Sequence, residues 1–99
     1  MATIRVASLG KGAHITRPDG ARLRKLIEDH WLDSEPITLD FKGLRIASAS
    51  FFDESLGLLA QKHGTKLLLS RVTVQNIDPS DRALLNRIVA SRAQERQVG

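Results

Sequence analysis

The stretch IASASFFDE, residues 46–54, sets two serines before two phenylalanines and an acidic pair. These side chains come nearest to a chemical arrangement anywhere in the chain. A serine becomes a nucleophile when a base sits within hydrogen-bond reach, but there is no GxSxG elbow and nothing ties a histidine to Ser48 or Ser50. Asp53 and Glu54 are adjacent; on a helix such neighbours point about 100° apart, so they cannot flank one bond as an acid and a base. His14, His30 and His63 follow no metal-ligand spacing. The chain has no cysteine, which excludes disulfides, a thiol nucleophile and cysteine-ligated metals. Gly10-Lys11-Gly12 offers backbone N–H groups to an anion but fits neither phosphate-loop pattern. No catalytic residue, cofactor site or metal ligand follows, and the expectation is a protein that is not an enzyme.

The elements that hold these residues emerge from hydrophobic periodicity. TIRVAS (Thr3 to Ser8) alternates as a half-buried strand does, and the Gly10-Lys11-Gly12 turn ends it. Thr16 reads as the cap of a helix with Pro18 and Asp19 in its first turn, and Leu23, Leu26, Ile27 and Trp31 form its apolar face. After Pro36, ITLDF is a second strand. A second helix is expected from Phe51 to His63, with Phe52, Leu56, Leu59 and Ala60 as its stripe and Gly64 as its stop. Ser50, three residues before Asp53, is the expected cap. That leaves Ser48 in the loop without a structural duty. Phe51 cannot share the face of Phe52, so it either fills the sheet edge or stays available to a partner. Gly57 within the helix implies that another backbone comes close.

KLLLS reads either as the start of the third strand, Val72 to Ile77, or as a helical turn. Asp78 caps the last helix, Pro79 occupies its first turn, and Asp81 is placed to accept from early N–H groups or to complement the helix dipole. Leu84, Leu85, Ile88 and Val89 form its apolar face. The order βαβαβα predicts a small α/β domain, a mainly parallel or mixed sheet packed against about three helices.

With 99 residues, 41% of them hydrophobic, the chain suits a single domain over residues 1–99. It has no run near the roughly 20 apolar residues of a membrane helix and no apolar leader at its start, so a cytoplasmic protein is expected. The net charge is +4 and the pI about 10.1, but the charge is polarised. Residues 1–25 carry six bases and one acid, residues 26–41 five acids and no base, and residues 42–99 nine bases and five acids. Arg82, Arg87, Arg92 and Arg96 spread around their helix rather than forming one stripe, and aromatic stacking platforms are few. Nucleic acid is therefore disfavoured as a partner. A nucleic-acid-binding regulator and a small nucleotide-binding domain stand as the alternative readings.

ITLDFKGLRIASASFFDE resembles the strand-loop-helix segment of STAS domains, the fold of bacterial anti-sigma factor antagonists, where a strand ending LDLSG precedes a hydrophobic triplet and DSSGL. Leu39, Asp40 and Gly43 match the strand end. The aspartate of that pattern falls on Ser48, the phosphorylated serine on Ala49, the next serine on Ser50 and the glycine on Phe51. The chain is more similar to the prokaryotic STAS-like family of unknown function, with LDF followed by SFxDExxG. Ser50, Phe51, Asp53, Glu54 and Gly57 match here, as do an upstream RxxG (Arg17, Gly20) and a VxN in the last strand (Val74, Asn76). The resemblance implies a STAS-like regulatory or adaptor module with no cofactor. Its implied partner is a protein, in STAS systems commonly an ATP-binding kinase of the histidine-kinase-like type. Contact would fall on Ser48, Ala49, Ser50, Phe51, Asp53 and Glu54. The edge of a small open sheet also leaves room for a homodimer.

Overall fold

A computed structural model describes residues 3–9 and 15–98, with side chains as far as residue 95. The expected Gly10-Lys11-Gly12 turn, His14 and the Arg96 side chain lie outside the described residues. The first elements are β1 (Thr3–Arg5), α1 (Arg17–Asp29) and β2 (Ile37–Asp40). Next comes α2, which runs without a break through Ala49–Phe52, a π turn at Asp53–Gly57, and Leu58–His63. The last are α3 (Thr65–Arg71), β3 (Val72–Gln75) and α4 (Pro79–Val98).

Among the described residues the strands form one parallel sheet in the order β1-β2-β3. Ile4, Leu39 and Val74 lie side by side in one row, and Thr3, Thr38 and Thr73 in the next. Since side chains alternate along a strand, the first row shares its face with Ile37 and Val72, and the second with Arg5, Asp40 and Gln75. Right-handed connections between successive parallel strands pass over the same face. The helices accordingly cover the apolar face, where Ile37, Leu39 and Val72 join Leu23 and Ile27 of α1 and Leu85 of α4 in one core.

α2 runs through the middle of this layer, between α1 and α4. Phe51, Phe52, Ser55, Leu56, Gly57, Leu59 and Ala60 are all buried, so apolar contact surrounds far more of the helix than a single stripe. The two phenylalanines meet edge to face, with ring centroids 5.4 Å apart. Phe51 is thus a core residue with no exposed surface, and of its two expected roles, filling the interior wins over remaining available to a partner.

Several boundaries move for local reasons. β1 stops short of Ser8: the Ser8 hydroxyl donates to the Arg5 carbonyl at 2.7 Å and the Leu9 N–H to the Val6 carbonyl at 3.0 Å, curling Val6–Ser8 into a 3₁₀ turn. KLLLS is helical. Gly64 ends α2 at φ +87°, and its carbonyl then accepts the Leu68 N–H at 3.1 Å to begin α3. Trp31, beyond the end of α1, stacks on His63 with centroids 4.2 Å apart.

The helices come close where two glycines sit. A Cβ on Gly20 would lie 2.5 Å from the Phe51 carbonyl oxygen, which α2 cannot withdraw. On Gly57 it would lie 3.0 Å from Cγ2 of Ile88, the movable end of a side chain. These positions should therefore differ on substitution. Gly20→Ala is expected to lower stability by about 1–3 kcal/mol through overpacking. In Gly57→Ala a helix-propensity gain of up to about 1 kcal/mol offsets a milder clash. Urea denaturation of both variants measures the difference; equal losses would contradict the assigned close approach.

Candidate functional site

The loop between β2 and α2 is held from both ends. At its start, Asp40 accepts the Lys42 N–H and the Asn76 side-chain amide, each at 2.9 Å. Asn76 adopts φ +58°, a left-handed conformation that asparagine tolerates better than most residues. At its far end, the Asp81 carboxylate accepts the Ile46 N–H at 2.6 Å and the Ala47 N–H at 2.8 Å. Asp81 is only 2% exposed. It lies in the first turn of α4, which Asp78 caps by accepting from Ser80 N–H at 2.9 Å and more weakly from Asp81 N–H. The Asp81 side chain therefore does not serve its own helix's N–H groups, as its position suggested. It holds a loop 34 and 35 residues earlier in the chain.

Ala47, gripped in this way, has φ +49°, and the next residue, Ser48, precedes the first residue of α2. Ser48 is extended at φ −133° and its hydroxyl oxygen accepts the Phe51 N–H at 3.2 Å. The cap is thus Ser48, which corrects the expectation for Ser50. Ser50 lies inside the first turn, and a residue that is already helical cannot be the half-turn cap. The two hydroxyls meet at 3.1 Å. Thr16 behaves as expected: it forms a capping box with Asp19, whose carboxylate accepts the Thr16 N–H at 2.9 Å.

The acidic pair is committed to the fold. Asp53 takes a two-pronged ion pair from Arg92 of α4, with both N–O distances at 2.7 Å. Glu54 turns the other way, to α1, where Arg17 reaches it at 2.7 Å and Arg24 at 3.0 Å. Arg24 also donates to the Glu54 carbonyl at 2.6 Å. Each carboxylate consequently titrates below its ordinary range, Asp53 through the Arg92 hydrogen bonds above all, and Glu54 through Arg17 and then Arg24. The Arg92 guanidinium is held protonated still more firmly by Asp53. Asp19 and Asp40 shift the same way, Asp19 chiefly through the Thr16 N–H and Asp40 chiefly through Asn76.

Of the six residues expected at a contact surface, the structure brings Ser48, Ala49 and Ser50 together at the helix start, Ala49 exposed and the serines half-buried. Phe51 points into the core, and Asp53 and Glu54 face the flanking helices. Sequence reasoning missed Asp81 as a loop tether and Arg92 and Arg24 as ion partners, because each acts across 30 residues or more. Among the described residues no three His, Asp or Glu side chains converge as metal ligands, and no helix is long and apolar enough to cross a membrane.

A family described as STAS-like domain of unknown function (DUF4325) matches residues 19–82. No curated protein and no solved structure matches the chain. The matched span begins at the α1 capping box and ends just past the Asp81 tether.

The lowered carboxylates carry a pH dependence. A group whose value falls on folding stabilises fully above its unfolded value, 3.8 for aspartate, and that stabilisation is lost as pH drops through the lower folded value. The fold should therefore weaken below about pH 4. Asp53→Asn is expected to cost about 1–3 kcal/mol at pH 7, as for hydrogen bonds to a charged group, and the gap to the parent should be smaller at pH 3, below the unfolded value of 3.8. Urea midpoints at the two pH values measure this; a gap unchanged by pH would refute the ion pair's share in stability.

Proposed function

Because the chain belongs to the family of STAS-like domains of unknown function, we propose that it is a non-catalytic regulatory or adaptor module that binds a protein partner through the loop at residues 47–50 and the start of α2. The observation that carries this reading is the fixed shape of the loop. The left-handed conformation of Ala47 costs a non-glycine residue about 1–2 kcal/mol, and it persists because the buried Asp81 carboxylate and the Ser48 cap impose it. Strain of this kind collects at functional sites. A loop already ordered loses little entropy on binding, and the exposed Ala47 and Ala49 let another protein approach the backbone closely.

The class of partner comes from the resemblance to STAS domains, whose partners are commonly ATP-binding proteins of the histidine-kinase-like type. At the position where those relatives are phosphorylated this chain has Ala49, the first residue of α2. Regulation by a phosphate on that residue is therefore not part of the reading. A cytoplasmic, signalling setting completes it, in keeping with a chain free of cysteine.

Ala49→Arg places a long cation on this exposed surface without disturbing the core. We expect the variant to unfold as cooperatively as the parent while losing roughly tenfold or more in affinity for a partner that the parent captures from its source cells. Asp81→Asn, which loosens the loop, should weaken the same capture. Identical sets of captured proteins for the parent and both variants would sink the reading.

A further inference from the structure

β3 lies at the edge of the sheet, and its outward side shows a specific pattern. The Phe41 N–H donates to the Gln75 carbonyl at 3.0 Å, so Gln75 turns its backbone toward β2. Alternate residues of a parallel strand address opposite neighbours, so Val74 turns its N–H and C=O outward. The Val72 N–H is taken up by the Leu68 carbonyl of α3. What remains along this edge, among the described residues, is the Val72 carbonyl and both backbone groups of Val74, the set that one further strand would satisfy. Edges are commonly defended by lysine, proline or a bulge; β3, with the sequence VTVQ, has none.

Beside this edge, on the apolar face, α3 and α4 frame an open groove of about 310 Å³. Val72 and Val74 form its floor, Leu69 one wall and Leu85 and Val89 the other. Leu69 is 69% exposed, an unusual state for a leucine beside an apolar groove. Arg82 stands in the same lining. It is exposed, no carboxylate lies among the lining residues, and Arg82 makes no ion pair among the described residues. A strand added along β3 would send every second side chain into this groove, so edge and groove fit one ligand.

We propose that the free edge of β3 and the groove between α3 and α4 dock an extended segment of a partner protein, with apolar side chains at alternate positions and a carboxylate on the same face, set against Arg82. Backbone pairing supplies affinity and the groove supplies selectivity, the mode of strand addition. The charge favours such a segment over a second copy of this chain, because a twofold pairing of β3 with itself would bring two Arg82 side chains into one apolar seam. The site shares no residue with the loop at 47–50, so each contact can be lost without the other.

The test uses the whole chain and two synthetic peptides, ETVTVTE and its lysine counterpart KTVTVTK, whose odd positions lie on one face in either strand direction. In an amide NMR titration, ETVTVTE should shift the Val74 and Gln75 signals and slow exchange of the Val74 N–H. KTVTVTK should bind about two- to fivefold more weakly, the range for a partly exposed ion pair, and Arg82→Glu should reverse that order. The proposal is overturned if neither peptide moves β3 at millimolar concentration, or if the preference survives Arg82→Glu. It is equally overturned if the free chain sediments as a dimer with the Val74 amide already protected, which would assign the edge to a second copy, or if decanoate fills the groove while the peptides do not.

Discussion

A helix enclosed on almost every side must satisfy its polar groups from its neighbours, and α2 shows what that requires in a domain this small. Its apolar residues run from Phe51 to Ala60 with few interruptions, and the polar residues among them each have a fixed use. Ser55, fully buried, donates its hydroxyl to the Phe51 carbonyl at 2.8 Å, where the π turn displaces the regular ladder. Asp53 and Glu54 diverge by about 100° because they are consecutive helical residues, which is why one reaches α4 and the other α1. Two adjacent carboxylates that are useless as a catalytic pair are well placed as a pair of brackets. Gly20 lets α1 approach the α2 backbone, and Gly57 makes room not for another backbone, as expected, but for the Ile88 side chain of α4.

The residues that made the family resemblance legible turn out to be the ones that hold this arrangement. Arg17 and Gly20 meet Glu54 and the Phe51 carbonyl, Gly57 admits Ile88, and Asp40 meets Asn76. A pattern of this kind identifies a fold because the fold needs it, and for the same reason it says little about what the fold does. The two surfaces proposed for function, the loop at residues 47–50 and the β3 edge, carry little of the pattern, which touches them at Ser50 and Val74.

Much of the fold was legible because it rests on local rules. Thr16 and Asp78 cap their helices through bonds spanning three residues or fewer, and the apolar spacing of α1 is a direct record of its buried side. Ser50 resembles a cap in the sequence because an acid three residues on suits one; the actual cap, Ser48, is set by a bend at Ala47 that the distant Asp81 imposes. Phe51 is ambiguous in the sequence because a single apolar stripe has room for only one of the two phenylalanines, whereas a helix with neighbours on both flanks buries two faces. KLLLS could not be decided by periodicity, and became a helix where Gly64 ended one helix and began another. In each case the missing information was a contact between segments far apart in the chain.

The charge ledger shows what kind of surface is left. Asp19, Asp53 and Glu54 are paired with arginines, Asp81 and Asp78 hold backbone N–H groups, Asp40 holds Asn76 and Lys42, and Glu28 meets Arg24 and Lys62. By contrast Lys25, Arg45, Lys66, Arg82 and Arg87 are exposed and make no ion pair among the described residues. Most of the buried and half-buried acids are thus engaged within the fold, while Asp29, Asp33, Glu35 and Glu95 are exposed together with these bases. The net charge is +4, and these unpaired bases carry part of it at the surface. Charges of this kind act mainly on encounter rates and on the choice of partner, and salt screens them within about 8–10 Å. In the proposed docking, a single one beside the apolar groove, Arg82, sets the sign of what enters it.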